Sequence, residues 1–218
     1  LASRRQRQMC IRDRRQAIAS ADKQVGRLLD GMAKIQHPVY LLITSDHGMH
    51  EVDASQTIFL DEHIALNQWR GDHRILPGGA YAFFYSADES LVARTRDALA
   101  AASGLTVIAP QNFEALLNFP QRGSRIPNLV AVADAPRYIG FKRGKGRKPP
   151  RGAHGYLPQN TPTMMGVFYA SGPRIPAQTR LDVMENVHIY PLVLDLLNIE
   201  NESAIDGDAS VLVPYLSD

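Results

Sequence analysis

Apolar residues fall at two different spacings along the chain, and the alternation between them predicts an α/β domain. Between Ala17 and Ile35, Val25, Leu28, Leu29, Met32 and Ile35 recur every three or four residues, which lays them on one face of a helix expected to cover a sheet. The run Val39–Thr44 (VYLLIT) is continuous and apolar, as in a central parallel strand buried on both faces. It stops at the polar group Ser45-Asp46-His47-Gly48. Ala80–Tyr85 predicts a second strand, and Ser86-Ala87-Asp88-Glu89 has the capping-box spacing that opens a helix running to about Ser103, with Gly104 as its stop. Short strands are expected at Thr106–Ala109, Leu129–Ala133 and Met165–Ala170, and short helices at Asn112–Leu117 and Ile189–Leu197. Pro191 falls in the first turn of the last helix, where a missing N–H costs nothing. Strand and helix alternate without an internal repeat, the pattern of a largely parallel central sheet flanked by helices.

Two stretches break the pattern. Residues 1–16 are crowded with arginine and have no apolar period, so a disordered tail is expected there. Its segment RQRQMCIRDR resembles a translated sequencing-adaptor tail, which would make it no part of the native protein. Residues 142–151 (KRGKGRKPPR) combine glycine, proline and basic residues and predict a flexible loop. The body of the domain is therefore expected over 17–218.

Composition narrows the classes. With 218 residues, 44% of them apolar and 21% charged, the chain can bury one substantial core and is too ordinary in balance to be disordered. A net charge of +2, with the basic residues gathered in two flexible stretches that lack interleaved aromatics, gives no basis for specific nucleic-acid binding. The longest apolar runs fall far short of the roughly 20 residues a bilayer span needs. The start carries no signal-type apolar stretch, which leaves export undecided. Cys10 is the only cysteine, so any metal must be held by histidine and carboxylate. Nothing in the sequence sets the oligomeric state.

Candidate chemistry gathers where strands end. In open α/β sheets ligands sit beyond the carboxyl ends of strands, and Asp46 and His47 lie at such an end. A carboxylate and an imidazole can share one zinc if Gly48 lets the chain turn there; a surface turn capped by Asp46 is the alternative. His154, between Gly152 and Gly155, is either a third ligand or an ordinary loop histidine. His37, His50, His63, His73 and His188 have no partner at ligand spacing, and most are expected to face solvent. Asp72-His73 lies in a glycine-rich loop with no strand before it.

TSDHGM at Thr44–Met49, GAHGY at Gly152–Tyr156 and MMGVFYASGP at Met164–Pro173 together resemble the C-terminal half of the type I phosphodiesterase/nucleotide pyrophosphatase family of the alkaline phosphatase superfamily. NVHIYPLVLDLLN at Asn186–Asn198 resembles that family's last catalytic-domain helix. The resemblance covers nearly all of the chain from Ala17 on. It implies an alkaline phosphatase-like fold, here a partial domain, with Asp46 and His47 on one Zn2+ and His154 on a second. It also implies hydrolysis of phosphodiester or pyrophosphate bonds in nucleotide-type substrates. A threonine or serine nucleophile forms a covalent intermediate, and two zinc ions about 4 Å apart share the work. An intact protein of this kind is expected in the periplasm or outside the cell.

The departures are as informative as the matches. The family's nucleophile, its first metal-binding Asp, its phosphoryl-binding Asn and its Asp-x-x-x-His pair have no counterpart here. No catalytic nucleophile is therefore assigned, and the fragment alone is expected to be inactive. Leu157-Pro158 stands where many relatives carry Asp or Asn after HGY, which leaves substrate choice open. The alternatives are another hydrolase of the superfamily (phosphomonoesterase, phosphonate hydrolase or sulfatase) and a non-catalytic binding module on the same fold.

Overall fold

The computed structural model describes residues 4–119, 123, 125–142, 149–200 and 203–217, with side chains described from residue 12 on. In chain order the elements are α1 (Arg4–Met32), β1 (Leu41–Thr44), β2 (His50–Glu51), β3 (Thr57–Phe59), β4 (Arg74–Pro77), β5 (Tyr81–Tyr85), α2 (Glu89–Ala100), β6 (Leu105–Ile108), α3 (Phe113–Leu117), β7 (Leu129–Ala133), β8 (Tyr138–Gly140), β9 (Gly152–Ala153), β10 (Phe168–Ser171) and α4 (Ile189–Leu196). Short 3-10 turns join several of them. The chain divides into two compact units, one of residues 44–167 and one of residues up to 43 with those from 168 on.

Residues 44–167 are built on a four-stranded sheet in the order β4-β5-β7-β6. Period-two alternation gives each face its own core. Ala82 and Phe84 of β5 with Leu129, Ala131 and Ala133 of β7 pack on one side, joined by Leu91 and Leu99 of α2. Val130 and Val132 of β7 turn to the other side and meet Phe113 of α3 and Ile108. Every residue of β7 is buried, so this strand, rather than Val39–Thr44, has the fully buried pattern.

The β5-α2-β6 succession does bring two parallel strands into one sheet. β7 lies between them and pairs antiparallel with both. β4 joins β5 as an antiparallel hairpin, and the parallel pairing described in this unit is that of β3 with β8. The α/β class holds, while the largest sheet of the described residues is antiparallel because a later strand is inserted between the two that the helix connects.

Helix α2 starts two residues later than the capping box predicts. Asp88 is its N-cap, accepting from the Leu91 N–H at 3.0 Å, while the Ser86 hydroxyl accepts from the Asp88 N–H and so shapes the approach to the helix.

In the other unit, β1 pairs with β10, and Leu192 and Leu196 of α4 pack with Leu212 over Tyr40, Leu42 and Phe168. β1 is half-buried rather than enclosed on both faces. α1 departs furthest from expectation. It is helical from Arg4, within the stretch expected to be a disordered tail, and its predicted apolar stripe is only partly covered: Val25 and Met32 are half-buried, Leu28 and Leu29 exposed. Arginine, glutamine and methionine have good intrinsic helix propensity, so a solvated helix can run on without an apolar period. Of the basic loop 142–151, residues 143–148 lie outside the described residues. Its flanks are fixed: Lys142 pairs with Glu62 and donates its N–H to Asp61, and the Arg151 carbonyl accepts from the Val52 N–H.

Candidate metal-binding site

The Ser45–His50 turn is held by backbone contacts that leave no room for a side chain at Gly48. The Gly48 N–H donates to the Met164 carbonyl at 2.8 Å, and a Cβ at this position would run into the Thr163 carbonyl oxygen. The glycine is required by close approach, since its backbone is not in the left-handed region. On the preceding side, Ser45 exchanges two hydrogen bonds with Val167: its N–H donates to the Val167 carbonyl at 3.1 Å and its hydroxyl accepts from the Val167 N–H at 2.9 Å. The turn is thus fixed along 45–48 by the segment 163–167.

Within this frame Asp46 and His47 converge. Asp46 Oδ1 accepts the His47 N–H at 2.9 Å, and Asp46 Oδ2 lies 3.3 Å from His47 Nε2. His47 Nδ1 lies 2.7 Å from the Gly48 carbonyl oxygen. A carbonyl can only accept, so Nδ1 carries a proton, and Nε2 is the nitrogen left to face Asp46 and a metal. This is the arrangement in which an imidazole ligand is oriented by a backbone carbonyl behind it.

His154 arrives from the other side through β9. His50 and Glu51 of β2 pair with Ala153 and Gly152, which brings the residue after Ala153 beside His47. The two imidazoles stack with ring centroids 3.8 Å apart and planes within 13°. Gly155 then turns the chain with φ +90°, its Cα close against the Tyr81 ring. Tyr156 anchors the turn from below: it is buried, and its hydroxyl donates to the Arg137 carbonyl at 2.8 Å. Burial pushes the Tyr156 phenol above its ordinary value. The Asp46 side chain is 83% exposed and that of His47 34%, so the site opens to solvent.

The donors can be tested against zinc. Zinc–ligand distances of about 2.0–2.1 Å put neighbouring tetrahedral ligands about 3.3 Å apart. The Asp46 Oδ2 to His47 Nε2 separation matches that edge. Parallel stacking keeps the His47 and His154 rings from converging on a single point, as expected if they serve different ions. Among the described residues no group of three or more His, Cys, Asp or Glu is gathered about one point. The chain's own residues therefore fit as parts of two coordination shells and complete neither.

The other histidines divide. His37 and His63 are exposed, as expected. The other three are half-buried and have partners: His50 Nδ1 lies 2.8 Å from Thr163 Oγ1, His73 Nδ1 lies 2.7 Å from Ser86 Oγ, and His188 Nδ1 accepts from the Asp208 N–H at 3.0 Å. His73 thus ties the start of β4 to the approach of α2. The sequence signal missed for His50 is its position three residues after His47, just past the turn.

The family profile of type I phosphodiesterase / nucleotide pyrophosphatase matches residues 5–157. Human ectonucleotide pyrophosphatase/phosphodiesterase family member 5 is 29% identical over 185 residues, covering 84% of this chain and 37% of that protein. The venom phosphodiesterase of Naja atra is 24% identical, covering 84% and 22%. The solved structure of human ectonucleotide pyrophosphatase / phosphodiesterase 5 superposes with a TM-score of 0.79 at 26% identity, covering 93% of this chain and 52% of that one. A structure of the murine protein, an inactive threonine-to-alanine variant in complex with AMP, matches with a TM-score of 0.77 at 25% identity, covering 92% and 52%. The chain thus spans about half the length of these solved relatives and less of the curated ones.

Proposed function

Since the chain belongs to the type I phosphodiesterase / nucleotide pyrophosphatase family, of alkaline phosphatase-like fold, we propose that the whole protein hydrolyses phosphodiester or pyrophosphate bonds in nucleotide-type substrates. Asp46 and His47 contribute to one zinc site and His154 to a second. The observation that carries this reading is the Asp46 Oδ2 to His47 Nε2 separation of 3.3 Å, with the Nδ1 proton held by the Gly48 carbonyl.

Zinc, when bound, supplies Lewis acidity toward the phosphoryl oxygens and lowers the pKa of the attacking oxygen. The residues of this chain prepare for that. The Gly48 carbonyl holds the Nδ1 side of the His47 ring, so that Nε2 is the nitrogen turned toward a metal. Asp46 accepts the His47 N–H with one oxygen and turns the other toward His47 Nε2. The stack sets His154 beside His47, so that donors to two ions face one substrate. The attacking group is a threonine or serine outside these 218 residues, a reading favoured by the inactive threonine-to-alanine relative described with AMP. The names of the relatives, ectonucleotide enzymes and a venom phosphodiesterase, support action outside the cell. No helix of the described residues is long and apolar enough to cross a membrane.

The test is to assay the whole protein on p-nitrophenyl phosphodiester and monoester substrates, before and after chelation. Diester cleavage that is lost on chelation and restored by zinc is the expected result. Preference for the monoester would assign the protein to the phosphomonoesterase alternative, and absence of any turnover would favour a binding module.

A further inference from the structure

We propose that His50 is a positioning residue of this site, holding the His47 and His154 rings in register through Thr163 and Tyr156. The inference rests on the reading of those two histidines as metal ligands.

His50 touches every element that frames the pair. It stands on β2 directly opposite Ala153 of β9, one residue before His154. Its ring meets the Tyr156 ring edge-on, with centroids 5.8 Å apart. Its Nδ1 is 2.8 Å from Thr163 Oγ1. Thr163 belongs to the turn Pro162–Met164, against which Gly48 is packed and to which the Gly48 N–H is bonded. A displacement of Thr163 therefore moves the wall behind His47, and a displacement of Tyr156 moves the turn behind His154. One imidazole links both supports across 113 residues of sequence. Groups that orient ligands from behind typically change metal affinity by about 10–100-fold when removed.

Two substitutions remove the hydrogen bond while preserving shape: His50→Phe keeps a ring against Tyr156, and Thr163→Val keeps the branched side chain. His50→Asn keeps a polar atom near the Nδ1 position and serves as the conservative rescue. In this chain, NMR reads the His47–His154 contact directly as an inter-ring nuclear Overhauser effect. Added cobalt(II) reads binding as paramagnetic broadening of the same resonances. The parent should show the contact and broaden. His50→Phe and Thr163→Val should each lose or weaken the contact and raise the cobalt concentration for half-broadening about 10-fold, and the double variant should be no worse than either single one. His50→Asn should stay within about 3-fold of the parent if the hydrogen bond is what matters. Unchanged contact and broadening in both shape-preserving variants would overturn the positioning role. A parent chain that shows the contact but ignores cobalt would overturn the metal reading while leaving the effect of His50 on ring spacing to be read from the Overhauser signal alone.

Discussion

Gly155 and Tyr156 show how much of the site depends on residues that carry no reactive group. Gly155 has φ +90° and packs against the Tyr81 ring, so any side chain there meets both backbone strain and overlap. Gly155→Ala should destabilise residues 44–167 by about 1–3 kcal/mol, measured by urea unfolding. It should also displace His154 from its stack. Tyr156→Phe leaves the Arg137 carbonyl without its donor inside the core, at a cost of about 1–2 kcal/mol, which the same measurement checks. The raised phenol value gives a sign as well. A group whose folded value lies above its unfolded value stabilises fully below the unfolded one, so the contribution of Tyr156 is complete below pH 10.0 and lost as pH rises through the higher folded value. Three residues picked out in the sequence do meet in the structure: Asp46 lies beside His47, and His47 stacks on His154. The residues that support them could not be picked out there. His50, Thr163 and Tyr156 meet only after β2 and β9 pair, and that pairing spans two residues on each strand, too short to leave a period.

At the scale of elements, legibility followed burial. β5, α2, β6, α3, β7 and α4 could each be read because a packed face imposes a period on the sequence. β3, β8, β2 and β9, two or three residues long, could not. β4 could have been found from Gly78-Gly79, a hairpin signal lying just before the strong strand β5. Burial also ranks the elements by energy. Leu129 on β7 is fully buried, and Leu129→Ala should cost about 2–5 kcal/mol, read as a lowered denaturation midpoint. Helix α2 offers a pH test of its cap. The Ser90 hydroxyl, and after it the Leu91 N–H, hold the Asp88 carboxyl below its ordinary 3.8. A lowered folded value means the cap stabilises fully above 3.8 and fades as pH falls through the folded value. Thermal unfolding of the parent should therefore lose more between pH 4 and pH 2 than that of Asp88→Asn, whose amide caps without titrating. Equal losses would show that the Asp88 charge contributes nothing to this cap.

For the whole molecule, the sequence motifs led to the correct family and fold, while the layer structure differed from expectation. The VYLLIT strand was expected at the centre of a sheet and the Val25–Ile35 stripe on top of one, yet among the described residues β1 pairs with β10 alone, and Leu28, Leu29 and Ile35 of the stripe are exposed. Both patterns are those of buried elements, and both lie in a chain that spans about half the length of its solved relatives. The proposed site follows the same rule: among the described residues no three His, Cys, Asp or Glu gather about one point. The central claim, that Asp46 and His47 serve one zinc and His154 another, is tested most directly by counting zinc in the whole protein. Zinc per protein molecule would be determined after exhaustive dialysis for the parent, Asp46→Ala and His154→Ala. The account predicts two ions in the parent and one in each variant. Two ions retained in both variants, or none in the parent, would contradict it.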